Sequence, residues 1–344
     1  MVWLFGGTCR SAARLDGKVA VVTGSNTGIG KETAQDLAAR GALVVMAVRD
    51  TAKGEIAAAD IRRQLAKQGA GKGPAGDVRV EALDLASLRS VRECARRILE
   101  EVKDVHILVN NAGIMACPKA YTEDGHDMQF GVNHLGHFLL TVLLLPRMRA
   151  STADSGQPAR IVNVSSVAYS FYKIDFDDLR IEKNYKPLLA YARSKLANML
   201  FTRELARRFK DSGVDHVNSY CLHPGVVATE LFRTFDYFIF PGIPFLIHHI
   251  GRFFIKTPRQ GAQTSIYCAV HEKTAKESGL YYVDCSSTTP FAIGRDDEAA
   301  LRLWDVSLEL VGLKGYDPVT AAEAPAWAFQ EPRTAAAPAP KAAL

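Results

Sequence analysis

Short apolar runs alternate along this chain with longer stretches in which apolar positions recur every three or four residues. Lys18-Val-Ala-Val-Val-Thr23 is the first such run and reads as a buried strand. A glycine-rich turn follows it, then a helix expected from about Ile29 to Arg40. Ala42–Val48 reads as a second strand and Thr51–Gln68 as a charged helix. Gly69–Gly76 is a Gly/Lys/Pro loop to which no chemistry is assigned. Val78–Leu83 is the third strand, and Ser87–Glu101 a helix with Ser87 as its N-cap. Val105–Asn110, Arg160–Ser165 and Val214–Leu222 complete the strands, separated by long helices over His126–Arg149 and Leu188–Lys210. Strand–helix alternation of this kind predicts an α/β fold: a Rossmann-type, doubly wound parallel sheet with helices on both faces, in one domain.

The domain is expected over residues 16–315. Residues 1–15 form an N-terminal tail that could associate with a membrane, and the Ala/Pro-rich residues 316–344 a disordered tail. The 344 residues include 42 Lys and Arg against 37 Asp and Glu, a net charge of +5 with the two signs interspersed, so nucleic acid is not an expected partner. Cys9, Cys94, Cys117, Cys221, Cys268 and Cys285 are widely spaced, which suggests reduced thiols and no metal cluster. His134/His137 and His248/His249 are pairs that no acid or cysteine completes. They are read as core or interface residues, and no metal is expected. No run of eighteen apolar residues suggests a simple spanning helix. Arg10 and Arg14, with no acid before Asp16, are compatible with a mitochondrial presequence.

Two features carry chemistry. The turn Thr23-Gly24-Ser25-Asn26-Thr27-Gly28-Ile29-Gly30 lies between the first strand and the first helix. Backbone N–H groups and the helix dipole there suit a pyrophosphate. In Ala-Tyr191-Ala-Arg-Ser-Lys195 a phenol and an ammonium stand four residues apart, on one face of a helix. The positive charge is expected to pull the phenol's pKa down toward working pH. Hydride transfer with matched proton transfer is the reaction type these features suggest. At the end of strand two, Val48 stands where an acid would accept from the adenosine ribose, and Arg49 follows. A guanidinium fits a 2′-phosphate, so NADP(H) is expected over NAD(H), with Lys31 adding charge. The competing reading leaves Arg49 in solvent and gives the acid's work to Asp50.

Thr23–Gly30, Asn110-Asn111-Ala112-Gly113, Asn133, Ser166, Tyr191/Lys195 and His223-Pro224-Gly225 occur in the order of the short-chain dehydrogenase/reductase family, which the chain resembles from about residue 16 to 315. Met128-Gln-Phe-Gly-Val-Asn133-His-Leu-Gly-His-Phe and Ser194-Lys-Leu-Ala-Asn-Met-Leu-Phe-Thr-Arg-Glu are similar to the retinol dehydrogenase 11–14 subgroup, as is the insertion Ile174-Asp-Phe-Asp-Asp-Leu between Ser166 and Tyr191. The resemblance implies catalytic roles for Asn133, Ser166, Tyr191 and Lys195. Tyr191 would be the acid in carbonyl reduction and the base in alcohol oxidation. Lys195 would lower its pKa and bind the nicotinamide ribose, Ser166 would donate to the substrate oxygen, and Asn133 would anchor a water linking Lys195 to solvent. It also implies a cofactor site built from Gly24, Ser25, Asn26, Thr27, Gly28, Ile29, Gly30, Arg49, Asp84, Leu85, Asn111, Ala112, Gly113, Tyr191, Lys195, Pro224, Gly225 and Thr229. His223 is assigned a structural part.

The implied partner is a small apolar aldehyde or alcohol, retinal/retinol first. Steroid, isoprenoid and lipid-peroxidation aldehydes are the alternatives, and an idle NADPH-binding scaffold is the reading from another class. A substrate lid is placed over about 227–260. Its segment 235–255 is apolar and aromatic but broken by Pro241, Gly242 and Pro244. It is read as a lid in peripheral contact with a membrane, against a core segment or a homodimer contact. The cytosolic face of the endoplasmic reticulum is the expected location, with mitochondrion or cytoplasm as alternatives, because the subgroup's N-terminal anchor is short here.

Overall fold

A computed structural model describes residues 6–67, 73–153, 156–227 and 256–330. Eight strands form one sheet. Chain order runs β1 (Val19–Thr23), α1 (Gly28–Ala39), β2 (Leu43–Val48), α2 (Thr51–Lys67), β3 (Asp77–Ala82), α3 (Leu88–Glu101), β4 (Ile107–Asn110) and α4 (Met128–Ala150). There follow β5 (Ala159–Val164), α5 (Pro187–Asp211), β6 (Val217–His223), α6 (Pro258–Val270), β7 (Leu280–Val283), β8 (Ser286–Thr288) and α7 (Asp297–Leu310). The order across the sheet is β3-β2-β1-β4-β5-β6-β7-β8, parallel except for β8. The doubly wound reading therefore stands. The strand order reverses between β1 and β4, which opens a crevice at the carboxyl ends of those strands.

Both faces of the sheet are covered, which is why the strands read as continuous apolar runs. Val21, Val45, Leu108, Ile161 and Cys221 pack one way, against α3, α4, α5 and α7. Ala20, Val22, Val44, Met46, Val109 and Tyr220 pack the other way, against α1, α2 and α6. In the first layer Phe138, Phe201 and Trp304 meet ring to ring at 5.2–6.0 Å. Such pairs contribute about 0.5–1.5 kcal/mol each beyond the area they bury. The α4 helix is long and apolar enough by length and composition to cross a membrane, yet 94% of its apolar window is buried inside the fold. It is the central core helix.

Two boundaries differ from the sequence reading. The tail assigned as disordered from residue 316 is packed as far as Gln330. Arg92 Nε donates to the Ala328 carbonyl at 2.9 Å and Arg149 Nη1 to the Ala321 carbonyl at 2.8 Å, while Tyr316 and Trp327 stack edge-on. The buried Arg92 on α3 and the half-buried Arg149 on α4 satisfy carbonyls that composition alone leaves exposed to water. At the other end, residues 6–15 are not a loose tail but a strap laid along the domain. Arg40 Nη1 donates to the Ser11 and Ala13 carbonyls, Cys9 N donates to Gln263 on α6, and Leu15 is buried.

Candidate active site

The turn after β1 passes through Gly24 at φ 65° and Gly28 at φ 57°, a left-handed geometry that glycine adopts without strain. The turn is packed flush: a Cβ on Gly30 would lie 2.5 Å from both Asn111 Nδ2 and the Gly24 carbonyl. Thr23 Oγ1 accepts from the backbone N–H groups of Asn111 and Ala112 at 2.9 and 3.0 Å, tying the end of β4 to the turn. Ser25 is buried and its hydroxyl donates to Val22, so its side chain is committed to the turn. Asn26 is half-buried, Thr27 is exposed, and Thr27 offers no side-chain cap to α1, whose first turn holds no acid. The leading N–H groups of Gly28, Ile29 and Gly30, at the positive end of the helix dipole, fit a diphosphate.

At the end of β2, Arg49 is exposed. Asp50 is engaged elsewhere: it accepts from Lys53 N and pairs with the Lys53 ammonium, both at 3.0 Å, and these contacts hold its carboxyl below the usual range. Lys31 pairs with Asp60 at 2.5 Å, so its charge is already matched. After β3, Asp84 accepts from Ala86 N, and Leu85 is a core residue pressed against α4 at Gly136.

The family-implied tetrad converges at the carboxyl ends of β4 and β5. Ser166 and Ser165 separate cleanly. Ser165 is buried and donates to the Lys195 carbonyl at 2.7 Å, whereas Ser166 lies beside the Tyr191 phenol and pulls its pKa down. Lys195 is buried beneath them, its Nζ donating to the Val164 carbonyl at 2.9 Å and lying 5.6 Å from the Tyr191 ring centroid. Asn133 sits in a π-turn, Gly131–Leu135, within α4. Its amide accepts from Ile114 N and donates to the Ile114 carbonyl and to Ser194 Oγ, each at 2.9 Å. Gly113 covers the pair, since a Cβ there would stand 3.3 Å from Asn133 Oδ1 and 3.5 Å from Lys195 Nζ. Asn110 is a buried amide bonded to Thr141 and Asn163.

The electrostatics depart from expectation. Burial pushes the Tyr191 phenol up to about 12, against the Ser166 hydrogen bond that pulls it down, and burial lowers the Lys195 ammonium to about 8. Desolvation outweighs the pull of Ser166 on the phenol, because a group without water disfavours its charged form. At neutral pH this phenol is therefore a proton donor held against a hydroxyl, with a cation behind it.

Several supporting residues were not anticipated. His137 Nδ1 lies 3.0 Å from the Asn133 carbonyl, and Nε2 lies 2.8 Å from Thr23 Oγ1. A carbonyl can only accept, so Nδ1 carries the proton and Nε2 accepts from the threonine hydroxyl. One buried imidazole thus joins the glycine turn to the π-turn. His134 is buried as well, 2.9 Å from Ser307 Oγ. Buried Arg193 pairs with buried Asp127 at 3.4 Å and donates to the Asp178 and Leu179 carbonyls, seating the long insertion beside α5. Pairing by i,i+4 spacing cannot find such links, because they join elements far apart in sequence. The Pro224 carbonyl accepts from Lys256, and Gly225 lies against that side chain. Burial lowers the neighbouring His223 to about 4. Thr229, and the expected lid between Val227 and Lys256, fall outside the described residues.

The short chain dehydrogenase family profile matches residues 18–237. Retinol dehydrogenase 12 of Homo sapiens is 48% identical over 309 residues, 90% of this chain and 91% of its own length. Retinol dehydrogenase 13 of Homo sapiens is 47% identical over 316 residues, covering 91% and 90%. Among solved structures, an uncharacterised Mycobacterium paratuberculosis protein superposes with a TM-score of 0.70 at 34% identity, covering 91% of this chain and all of its own. The RhlG/NADP active-site complex of Pseudomonas aeruginosa superposes with a TM-score of 0.58 at 27% identity, covering 78% and 94%.

Proposed function

The chain belongs to the short chain dehydrogenase family, a family of nicotinamide-dependent oxidoreductases, and within it to the retinol dehydrogenase subgroup. On that premise we propose that it is an NADP(H)-dependent enzyme that interconverts retinal and retinol, or similar long-chain apolar aldehydes and alcohols. The observation that carries this reading is the buried Tyr191 phenol with Ser166 beside it and the Lys195 ammonium 5.6 Å from its ring, set beside an uncapped helix terminus.

The bound dinucleotide supplies or receives the hydride. The chain's own residues do the rest. Gly24–Gly30 and Asn111–Gly113 bind it through close backbone approach. Lys195 holds the ribose and keeps positive charge under the phenol. Ser166 donates to the substrate oxygen, where charge develops. Tyr191 gives that oxygen a proton in reduction and takes one in oxidation. A phenol pushed up to about 12 is protonated at neutral pH, the form that aldehyde reduction uses. Asn133 fixes the π-turn and, with Lys195, the start of a path for the returning proton.

Arg49 supports the phosphate-bearing cofactor. It is exposed at the end of β2, while Asp50 caps α2 and Lys31 is paired with Asp60. The test is oxidation of NADPH and of NADH by purified protein with all-trans-retinal. Turnover is expected with NADPH, and Arg49→Glu should raise the NADPH Kd by about 10- to 100-fold, the worth of one charge-assisted contact. Equal use of both cofactors by the wild type would remove the role given to Arg49. NADPH binding with inert retinal would move the substrate to steroids, isoprenoids or short aldehydes.

The apolar segment 235–255 supports peripheral membrane contact, at the cytosolic face of the endoplasmic reticulum, as the route by which such a substrate arrives. Deleting 238–247 should release the protein from sedimenting membranes. Unchanged sedimentation would count against that contact.

A further inference from the structure

A cluster outside the tetrad joins the N-terminal strap to the loop after β6. Lys256 is its centre. Its backbone N–H donates to the Val226 carbonyl at 2.8 Å, and Val227 and Lys256 pair as a parallel bridge. Its ammonium donates to the Pro224 carbonyl at 3.2 Å and forms an ion pair with Asp284, both groups being mostly buried. Asp284 and Cys285 form the β7–β8 turn, with φ of 51° and 59° in the left-handed region. The strap lies directly on this turn. A Cβ on Gly7 would come within 1.9 Å of the Asp284 carbonyl and 2.9 Å of Cys285 N. One on Gly6 would stand 3.0 Å from Lys256 Cε and 3.5 Å from Asp284 Oδ1. Beyond Gly7 the strap is held by Cys9 to α6 and by Arg40 to α1.

The geometry points to Lys256 as a positioning residue that couples seating of the strap to the grip of the Pro224–Val227 loop on the nicotinamide cofactor. The inference rests on the cofactor reading above. An ammonium has three donors, and here two of them span a loop carbonyl and a carboxylate on another strand pair. The loop holds its shape because the charge is fixed. The charge is fixed by Asp284, and the Asp284 turn, in an uncommon backbone conformation for non-glycine residues, is braced by the glycine pair of the strap. Lifting the strap loosens the turn, frees the ammonium and lets Pro224 move. Linkage is reciprocal, so a cofactor that tightens the loop must also hold the strap down.

The experiment measures NADPH Kd by fluorescence on the full chain, with melting temperature alongside, and amide exchange over residues 6–13 with and without NADPH. Lys256→Met should raise Kd about tenfold, within the usual range for coupled sites, and Lys256→Arg should restore most of the affinity. Gly7→Val, which cannot seat against Asp284, should raise Kd in the same direction, and the Gly7→Val/Lys256→Met pair should add little beyond Lys256→Met alone. NADPH should slow exchange in the strap of the wild type and not in Lys256→Met. The proposal is overturned if Lys256→Met lowers the melting temperature while Kd holds, if the two effects simply add, or if strap exchange ignores NADPH. A wild type that binds neither NADPH nor NADH would instead overturn the cofactor reading beneath it.

Discussion

Tyr191→Phe is expected to lower the turnover of retinal by about 10²- to 10⁴-fold, the range carried by one positioned proton donor. NADPH affinity should hardly change. The phenol ring keeps its packing on α5, where Tyr191 is 6% exposed, and only the hydroxyl that meets Ser166 is lost. The measurement is single-turnover NADPH oxidation beside a direct binding titration. Loss of turnover with intact binding assigns the proton to this residue. Equal rates for wild type and variant would instead favour a cofactor-binding protein without chemistry. The burial that places the phenol pKa at about 12 adds a second expectation within the same assay. Reduction should be nearly flat between pH 6 and 7, since the phenol stays protonated and Lys195 charged there, and should fall as pH passes about 8 and Lys195 loses its charge.

Acid should unfold the protein through its buried histidines. Burial lowers His134 to about 3, and His137 and His223 to about 4, from an ordinary value of 6.5. A lowered folded pKa means that the unfolded chain binds more protons between about pH 4 and 6.5. The stability these groups permit is therefore fully present above 6.5 and is lost as pH falls toward 4, by about 3 kcal/mol for each group. His137 makes the loss local as well as global. Its Nε2 must stay bare to accept from Thr23, and protonation there places a donor against a hydroxyl that already serves Asn111 and Ala112. Urea midpoints recorded from pH 7.5 to 4.5 should fall steeply for the wild type and more gently for His137→Gln. Parallel curves for the two would rule out His137 as a source of the acid loss.

Periodicity and turn residues made much of this fold legible in advance. The runs 18–23, 42–48 and 105–110 are largely apolar on both sides of the strand, and such a strand has few places to go except between two layers of helices, whereas 78–83 alternates with Arg79 and Glu81 and forms the edge strand. β7 and β8 were not legible. Leu280-Tyr-Tyr-Val and Ser-Ser-Thr are too short to show a period, and they become strands because the edge of β6 offers β7 a partner and β7 in turn offers one to β8. The packed C-terminal residues to Gln330 escaped notice for a related reason: what holds them is a guanidinium more than two hundred residues away.

Tyr191 and Lys195 were legible because their i,i+4 spacing along one helix survives without tertiary information, whereas Asn133 and Ser166 were implied only by the resemblance to a family. The choice of Ser166 over Ser165 was inferable only by likeness to a family. In the structure it follows from direction, since adjacent residues leaving β5 point to opposite sides and only one meets Tyr191. Electrostatics could not be inferred so. The sequence places Lys195 four residues from Tyr191 and suggests a lowered phenol pKa, but how much water reaches either group depends on what α4, β5 and β6 stack around them.

The sequence by itself determined the strand–helix order, the glycine turn and the identity of the groups on offer, because these depend on residues within a turn or two of each other. Tertiary structure alone decided the Thr23–His137–Asn133 link, the Arg193–Asp127 pair, the raised phenol and the strap seated on the Asp284 turn. Burial and long-range hydrogen bonding belong to the packed assembly, and no local stretch of chain contains them.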